Sequence, residues 1–227
     1  MKVLFWAVDC QKDFLNKDGA LYVEGAESIK PNLRKLTSMA INYGITVVNT
    51  MDFHEIDDEE ISDEPDFVNT FPKHCMAHAE GSEFIEETMP ESNYHIIYKG
   101  IRNKMPRTSR NIIIQKNKFD VFEGNQDTGR VLKALSPDFV VVYGVATNVC
   151  VNCAVLGLVK RGYKVVVVKD AIKELPNLPV EPIYAEWEKN GVIFETMQNI
   201  ENVIKYNYNE KKSDLDGLKN GYPWSGA

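Results

Sequence analysis

Cysteine is scarce in this chain. Cys10, Cys75, Cys150 and Cys153 are four in 227 residues, too few for a disulfide scaffold, so the expectation is a reducing compartment, by default the cytoplasm. Positive charge is in deficit: 26 Lys and Arg stand against 33 Asp and Glu, a net charge of −7. A nucleic-acid binder normally shows a basic face, so that class is set aside. No apolar run reaches the ~18 residues of a membrane span. The N-terminus enters a strand over residues 2–9 without the cleavage site of a signal peptide. Internal repeats and low-complexity tracts are absent. What is left is a chain expected to act on a small molecule, with no nucleic-acid or membrane partner.

Hydrophobic residues make up 44% and charged residues 26%. That is ordinary for a globular protein, and the length suits one α/β domain with its own core. Strand candidates alternate with helix candidates. Apolar runs at residues 2–9, 45–50, 111–115, 139–143, 163–168 and 192–194 read as strands, with a short candidate at 95–98. Residues 28–42 show Ile29, Leu33, Leu36 and Ala40 on one helical face, with Pro31 tolerated in the first turn. Residues 82–89, 127–135, a segment through Trp187 and 200–206 are further helix candidates. Residues 99–110, with five basic residues and Pro106, read as loop. The pattern predicts a Rossmann-like three-layer α/β sandwich, a mostly parallel sheet with helices on both faces. The domain is expected over residues 1–206, followed by a polar, extended tail over 207–227.

The stretch Phe139 to Cys153 organises the chain. A buried strand ends at Gly144, Thr147 and Asn148 are good helix N-cap residues, and Val151, Ala154, Val155 and Leu158 follow helical spacing. Cys150 is thereby placed in the first turn of a helix, where free backbone N–H groups and the helix dipole favour a thiolate and can hold an oxyanion. Two plainer readings stand beside this one. A lone cysteine is usually a small buried hydrophobe, and Cys150-Val-Asn-Cys153 has the spacing of a redox pair. Asp9 stands where the first strand ends, with Asp13 as competitor, and Lys116 stands where the 111–115 strand ends. In an open parallel sheet ligands bind beyond such ends. An acid, a cation and a nucleophile on one rim suit covalent acyl chemistry.

Residues 51–81 are acid-rich and carry three of the four histidines, His54, His74 and His78. So long a loop in a compact domain is usually functional or disordered. Asp, His and Glu converging there could bind a divalent cation; a solvated acidic loop is the alternative.

Several segments are familiar in order. Val8-Asp-Cys-Gln-Lys-Asp-Phe14, Phe71-Pro-Lys-His-Cys75, Gly81-Ser-Glu-Phe84, Ile114-Gln-Lys-Asn-Lys-Phe-Asp-Val-Phe-Glu-Gly124 and Gly144-Val-Ala-Thr-Asn-Val-Cys-Val151 resemble motifs of the isochorismatase-like cysteine hydrolases, which include the nicotinamidases. The resemblance covers about residues 1–206. It implies a catalytic triad of Asp9, Lys116 and Cys150, a cis peptide at Val145–Ala146, and an oxyanion hole from the N–H groups of Ala146 and Cys150. It implies one divalent cation (zinc, manganese, iron or magnesium) and no organic cofactor. It also implies a homo-oligomer, dimeric or tetrameric. Asp52, His54 and His74 match the metal ligands of nicotinamidases, and Phe14, Phe71 and Phe119 are placed to wall an aromatic ring between metal and thiol. Two positions depart. Asn148 replaces an acid, and Glu60 stands where a second histidine is expected six residues after His54; it is carried as the fourth ligand. Lys99-Gly100 resembles a "KG" pair of some nicotinamidases, but Lys116 is preferred because the aromatic segment follows it directly. Residues 93–110 form a longer stretch than expected and are placed to cover the pocket. Cys153, one turn past Cys150, is expected in the core. The leading expectation is hydrolysis of a small amide through a thioester on Cys150. Metal-free vinyl-ether hydrolysis and a non-catalytic binding relative are the alternatives.

Overall fold

A computed structural model describes residues 2–91, 93–106, 108–176 and 179–214, with backbone alone over 207–214. The elements are β1 (Val3–Val8), α1 (Lys12–Leu15), α2 (Lys30–Tyr43), β2 (Thr46–Asp52), β3 (Tyr94–Ile97), β4 (Asn111–Lys116), α3 (Val121–Gly124), α4 (Thr128–Leu135), β5 (Phe139–Val145), α5 (Asn152–Lys160), β6 (Lys164–Lys173), α6 (Glu181–Lys189), β7 (Ile193–Glu195) and α7 (Met197–Asp214). The strands form one sheet in the order β3-β4-β2-β1-β5-β6-β7, and every neighbouring pair is parallel. The expected three-layer α/β architecture is therefore present, with a wholly parallel sheet.

Alternation along the strands divides the interior in two, because successive side chains point to opposite faces. Phe5 and Ala7 of β1, Val141 and Tyr143 of β5, and Val166 and Val168 of β6 pack with Leu33 and Leu36 of α2 and Ile200 and Ile204 of α7. Leu4, Trp6, Val140, Val142, Val165 and Val167 pack on the other side with Val131 of α4, Ala154 and Leu158 of α5, and Trp187 of α6. Both faces are covered, which is why the strands read as nearly unbroken apolar runs.

Gly144 shows why β5 can lie against β1. Its φ is +118°, and a Cβ there would stand 2.1 Å from the Val8 carbonyl oxygen. Only glycine fits both the backbone angle and the space.

Three expectations about elements change. The helix expected over 82–89 is two separate 3₁₀ turns, Glu80–Ser82 and Glu86–Thr88. The Ile85 N–H donates to the Cys10 carbonyl and the Lys12 N–H donates to Glu83 O, so this backbone is tied to the end of β1 instead of to itself. The tail expected to be extended from residue 207 continues α7 as far as Asp214; no glycine or proline interrupts before Gly217. Residues 215–227 lie outside the described residues. β6 runs five residues past Val168 because Ala171 and Ile172 are themselves buried. Among the described residues no helix is long and apolar enough to cross a membrane.

Candidate active site

Four adjacent strands, β4, β2, β1 and β5, end in a row, and each end carries a chemically active residue. Lys116 closes β4, Asp52 closes β2, Asp9 follows β1, and Cys150 follows β5 after a short turn. The β2–β4 register sets Asp52 directly opposite Lys116. Lys116 Nζ lies 2.9 Å from Asp9 Oδ2 and 2.5 Å from Asp52 Oδ1, and 3.6 Å from Cys150 Sγ. One ammonium thus joins two carboxylates and a thiol. Asp9 sits at φ 46°, so the chain turns out of the strand direction as β1 ends. Thr50 Oγ1 donates to Asp9 Oδ1 at 2.5 Å and accepts from the Asp9 N–H at 3.1 Å.

All of these groups are buried, and burial decides their protonation. Lys116 is buried in a way that works against its charge, but Asp52 and Asp9 outweigh that and hold it protonated well above the ordinary lysine range. Burial raises Asp9, and Asp52 adds to this while Lys116 pulls it down. Burial also pushes the Cys150 thiol well up, against the pull of Lys116. Burial thus acts on the Cys150 thiol in the direction opposite to the one expected of a thiol at a helix end.

The Val145–Ala146 peptide is cis, as the resemblance implies. The turn that follows differs from expectation. Thr147–Val151 is a π-helical turn, in which the Val151 N–H reaches the Ala146 carbonyl at 3.1 Å, and α5 begins only at Asn152. Neither Thr147 nor Asn148 caps it; the turn's N-cap position is Ala146, with no side-chain bond. Asn148 instead donates to Leu175 O at 2.8 Å and accepts from Leu175 N–H at 2.9 Å, an attachment 27 residues away. Cys153 is only half-buried and belongs to neither core cluster. It is pushed up to about 11, mainly by burial.

Beside Asp52 lie His54 and His74. One ligand atom from each of the three falls within 4.8 Å of the others. His74 Nδ1 is 2.7 Å from Pro72 O. A carbonyl can only accept, so Nδ1 carries a proton, and Nε2 is turned towards Asp52 Oδ2 at 3.9 Å. His54 is fully buried and neither ring nitrogen has a hydrogen-bond partner. Burial, then His74 and Lys116, lowers it to about 3, so the ring is neutral. An orphaned buried imidazole costs about 1–3 kcal/mol. A cation would remove that cost, and a carboxylate with two imidazoles is a donor set for zinc or a similar divalent ion. The residues fit the group.

Glu60, the expected fourth ligand, is not among the three. Its Oε1 accepts the Phe119 N–H at 3.0 Å. Phe14, Phe71 and Phe119 do come together, lining one cavity with Leu21, Val149, Leu175, Ala146, Asp52, His74 and Cys150. Its free space is about 20 Å³, roughly one water's worth. The Phe71 and Phe119 rings meet edge to face at 5.5 Å.

Some supporting residues carried no separable signal in the sequence. Gln11 is fully buried; its Nε2 donates to Asp52 O and Ser82 O at 2.7 and 2.9 Å, and its Oε1 accepts the Asp52 N–H at 2.8 Å. Its place inside the Val8–Phe14 motif was the one available hint. Asp13, the competitor of Asp9, tethers loops: it accepts from the N–H groups of Cys75 and Ala20. Asp58 was one acid among many. It lies 3.5 Å from His54 Nδ1 and holds Asn117 at 2.6 Å and Lys99 at 3.0 Å. Lys99 thus faces the loop and not the thiol.

A pattern of strand ends, buried lysine and cysteine can be compared with known proteins. The nicotinamidase/pyrazinamidase of Mycobacterium tuberculosis is 27% identical over 159 residues, 68% of this chain and 77% of that one. The crystal structure of a pyrazinamidase of Pyrococcus horikoshii in complex with zinc superposes with a TM-score of 0.68 at 25% identity, covering 86% of this chain and 99% of that one. The N-carbamoylsarcosine amidase of Thermoplasma acidophilum shares the fold, with a TM-score of 0.66 at 23% identity over 87% and 97% of the two chains. The isochorismatase domain model matches residues 3–192, from the start of β1 to the threshold of β7, and the chain belongs to that family.

Proposed function

We propose that this protein hydrolyses the C–N bond of a small amide through a thioester on Cys150. The observation that carries the reading is Lys116 Nζ within reach of Asp9, Asp52 and Cys150 on neighbouring strand ends, with Asp52 and Cys150 lining an aromatic-walled cavity. The names of the Mycobacterium and Pyrococcus relatives point the same way, to a flat heteroaromatic amide.

The chemistry follows from the protonation states. Asp9, its carboxyl raised by burial and so a better base than an exposed one, takes the Cys150 proton as the sulfur attacks the amide carbon. The carbonyl oxygen gains the charge, and the N–H groups of Ala146 and Cys150 receive it. Asp9 returns the proton to the departing nitrogen, which leaves as ammonia. Water, losing a proton to Asp9, then cleaves the thioester to release the acid and restore the thiol. Lys116 keeps its own proton throughout; it lowers the energy of the thiolate and holds Asp9 in place. The cavity walls exclude bulk water and orient the acyl group. A divalent cation on Asp52, His54 and His74 would supply a Lewis-acid anchor for a lone pair on the substrate.

Ammonia release from a panel of small carboxamides, pyridine-3-carboxamide included, tests the reading, with and without added Zn²⁺ or Mn²⁺. The unchanged protein and Cys153→Ala should turn over; Cys150→Ala should fold and lose about four orders of magnitude in kcat. Full activity in Cys150→Ala would overturn the mechanism.

A further inference from the structure

Glu60 occupies a position where the related metal motif has a histidine, yet its carboxylate is engaged elsewhere. The two aromatic walls of the cavity come from different segments. Phe71 belongs to the long loop after β2, and Phe119 to the turn between β4 and α3. Nothing in the sheet register couples them. Glu60 bonds to both. Its backbone carbonyl accepts the Phe71 N–H at 2.8 Å, and the Ser62 N–H returns to Phe71 O at 2.9 Å, a parallel bridge around Ile61 and Phe71. Its side-chain Oε1 accepts the Phe119 N–H at 3.0 Å. The rings so held stand 5.5 Å apart at 85°.

We propose that Glu60 is a positioning residue which holds Phe71 and Phe119 in edge-to-face contact, and with it the shape of the aromatic wall against which the substrate's acyl group lies, and that it is not a metal ligand. This deepens the amidase reading and rests on it for the identity of the occupant. The wall favours a thin, flat acyl group, since a bulky one would have to spread two touching rings whose backbones one residue ties together. The backbone half of the clamp exists whatever the side chain at 60. The side-chain half needs an acceptor at the right reach, and it needs no charge. Alanine removes the acceptor and strands the Phe119 N–H. Glutamine keeps an oxygen in the same place. A ligand role makes the opposite demand, because an amide is a much poorer metal donor than a carboxylate.

The experiment compares the unchanged protein with Glu60→Ala and Glu60→Gln. Three quantities are read: KM and kcat for flat and bulky amides, Zn²⁺ affinity by equilibrium dialysis, and hydrogen exchange of the Phe119 N–H. Glu60→Ala should raise KM for pyridine-3-carboxamide about five- to tenfold with kcat within about twofold, and weaken the preference for flat over bulky amides. Its Phe119 N–H should exchange at least about tenfold faster. Glu60→Gln should match the unchanged protein in all of these, and both variants should keep its zinc affinity. The proposal is overturned if Glu60→Gln loses zinc, if it matches Glu60→Ala in KM, or if Phe119 exchange is unmoved by Glu60→Ala. Should the unchanged protein hydrolyse no amide, the amidase reading fails, while the exchange and zinc measurements still decide the role of Glu60.

Discussion

The two halves of the site are built differently. Asp9, Lys116 and Cys150 are held by the ends of strands in a parallel sheet, where register with neighbours leaves each side chain little freedom. Asp52 stands on the boundary, a strand-end residue whose carboxylate faces both Lys116 and the histidines. His54, Glu60, Phe71 and His74 are held by a loop, through single hydrogen bonds and two isolated bridges, His54 with Met76 and Ile61 with Phe71. The strand-end half has its charges matched within itself. The loop half leaves an imidazole without a partner. A scaffold that completes its own electrostatics suits a proton-transfer machine that must work on every turnover. One that leaves a donor set open suits the capture of something from solution.

The sharpest way to break this contrast is at Lys116. Lys116→Met leaves Asp9 and Asp52 facing each other, buried and unpaired, and should cost about 3–5 kcal/mol of stability as well as about a thousandfold in kcat. Lys99→Met, which loses only a bond to Asp58, should cost less than about tenfold. Melting curves and ammonia release on the two variants decide it; greater damage from Lys99→Met would show the triad to be misassigned.

Emptying the loop half should spare the strand-end half. His54→Ala is expected to weaken Zn²⁺ binding at least about a hundredfold, while iodoacetamide labels Cys150 at an unchanged rate. If labelling changes in step with metal loss, the halves are one unit.

The smallest effect belongs to Thr50, which touches the triad without joining it. Thr50→Val removes the donor to Asp9 Oδ1, a bond that lowers the Asp9 pKa. Asp9 must be ionised to accept the thiol proton, so without that bond the acid limb of kcat/KM moves to higher pH, and kcat falls about tenfold. An unmoved acid limb would show that Asp9 is not the base.

The sheet was legible because its signals are local. Val140 to Tyr143, Val3 to Val8 and Ile112 to Ile114 are apolar runs of strand length, and the active residues stand where those runs end. The failures share one cause. The segment 82–89 has the composition of a helix, but its N–H groups meet Cys10 O and its carbonyls meet Lys12 N–H. Asn148 has the composition of a cap, but its partner is Leu175. In each case a residue remote in sequence competed for the same hydrogen-bonding group.

By itself, the sequence determined the unbroken apolar runs, the alternation of strands with helices, and the residue types waiting at strand ends; these depend on neighbours within a few positions. The tertiary structure alone decided that Lys116 Nζ stands 3.6 Å from the Cys150 thiol and meets both Asp9 and Asp52. The sheet order places β4, β2, β1 and β5 side by side although β1 and β5 lie more than 130 residues apart. Desolvation, which pushes the Cys150 thiol up and works against the charge of Lys116, exists only once those strands have closed around them.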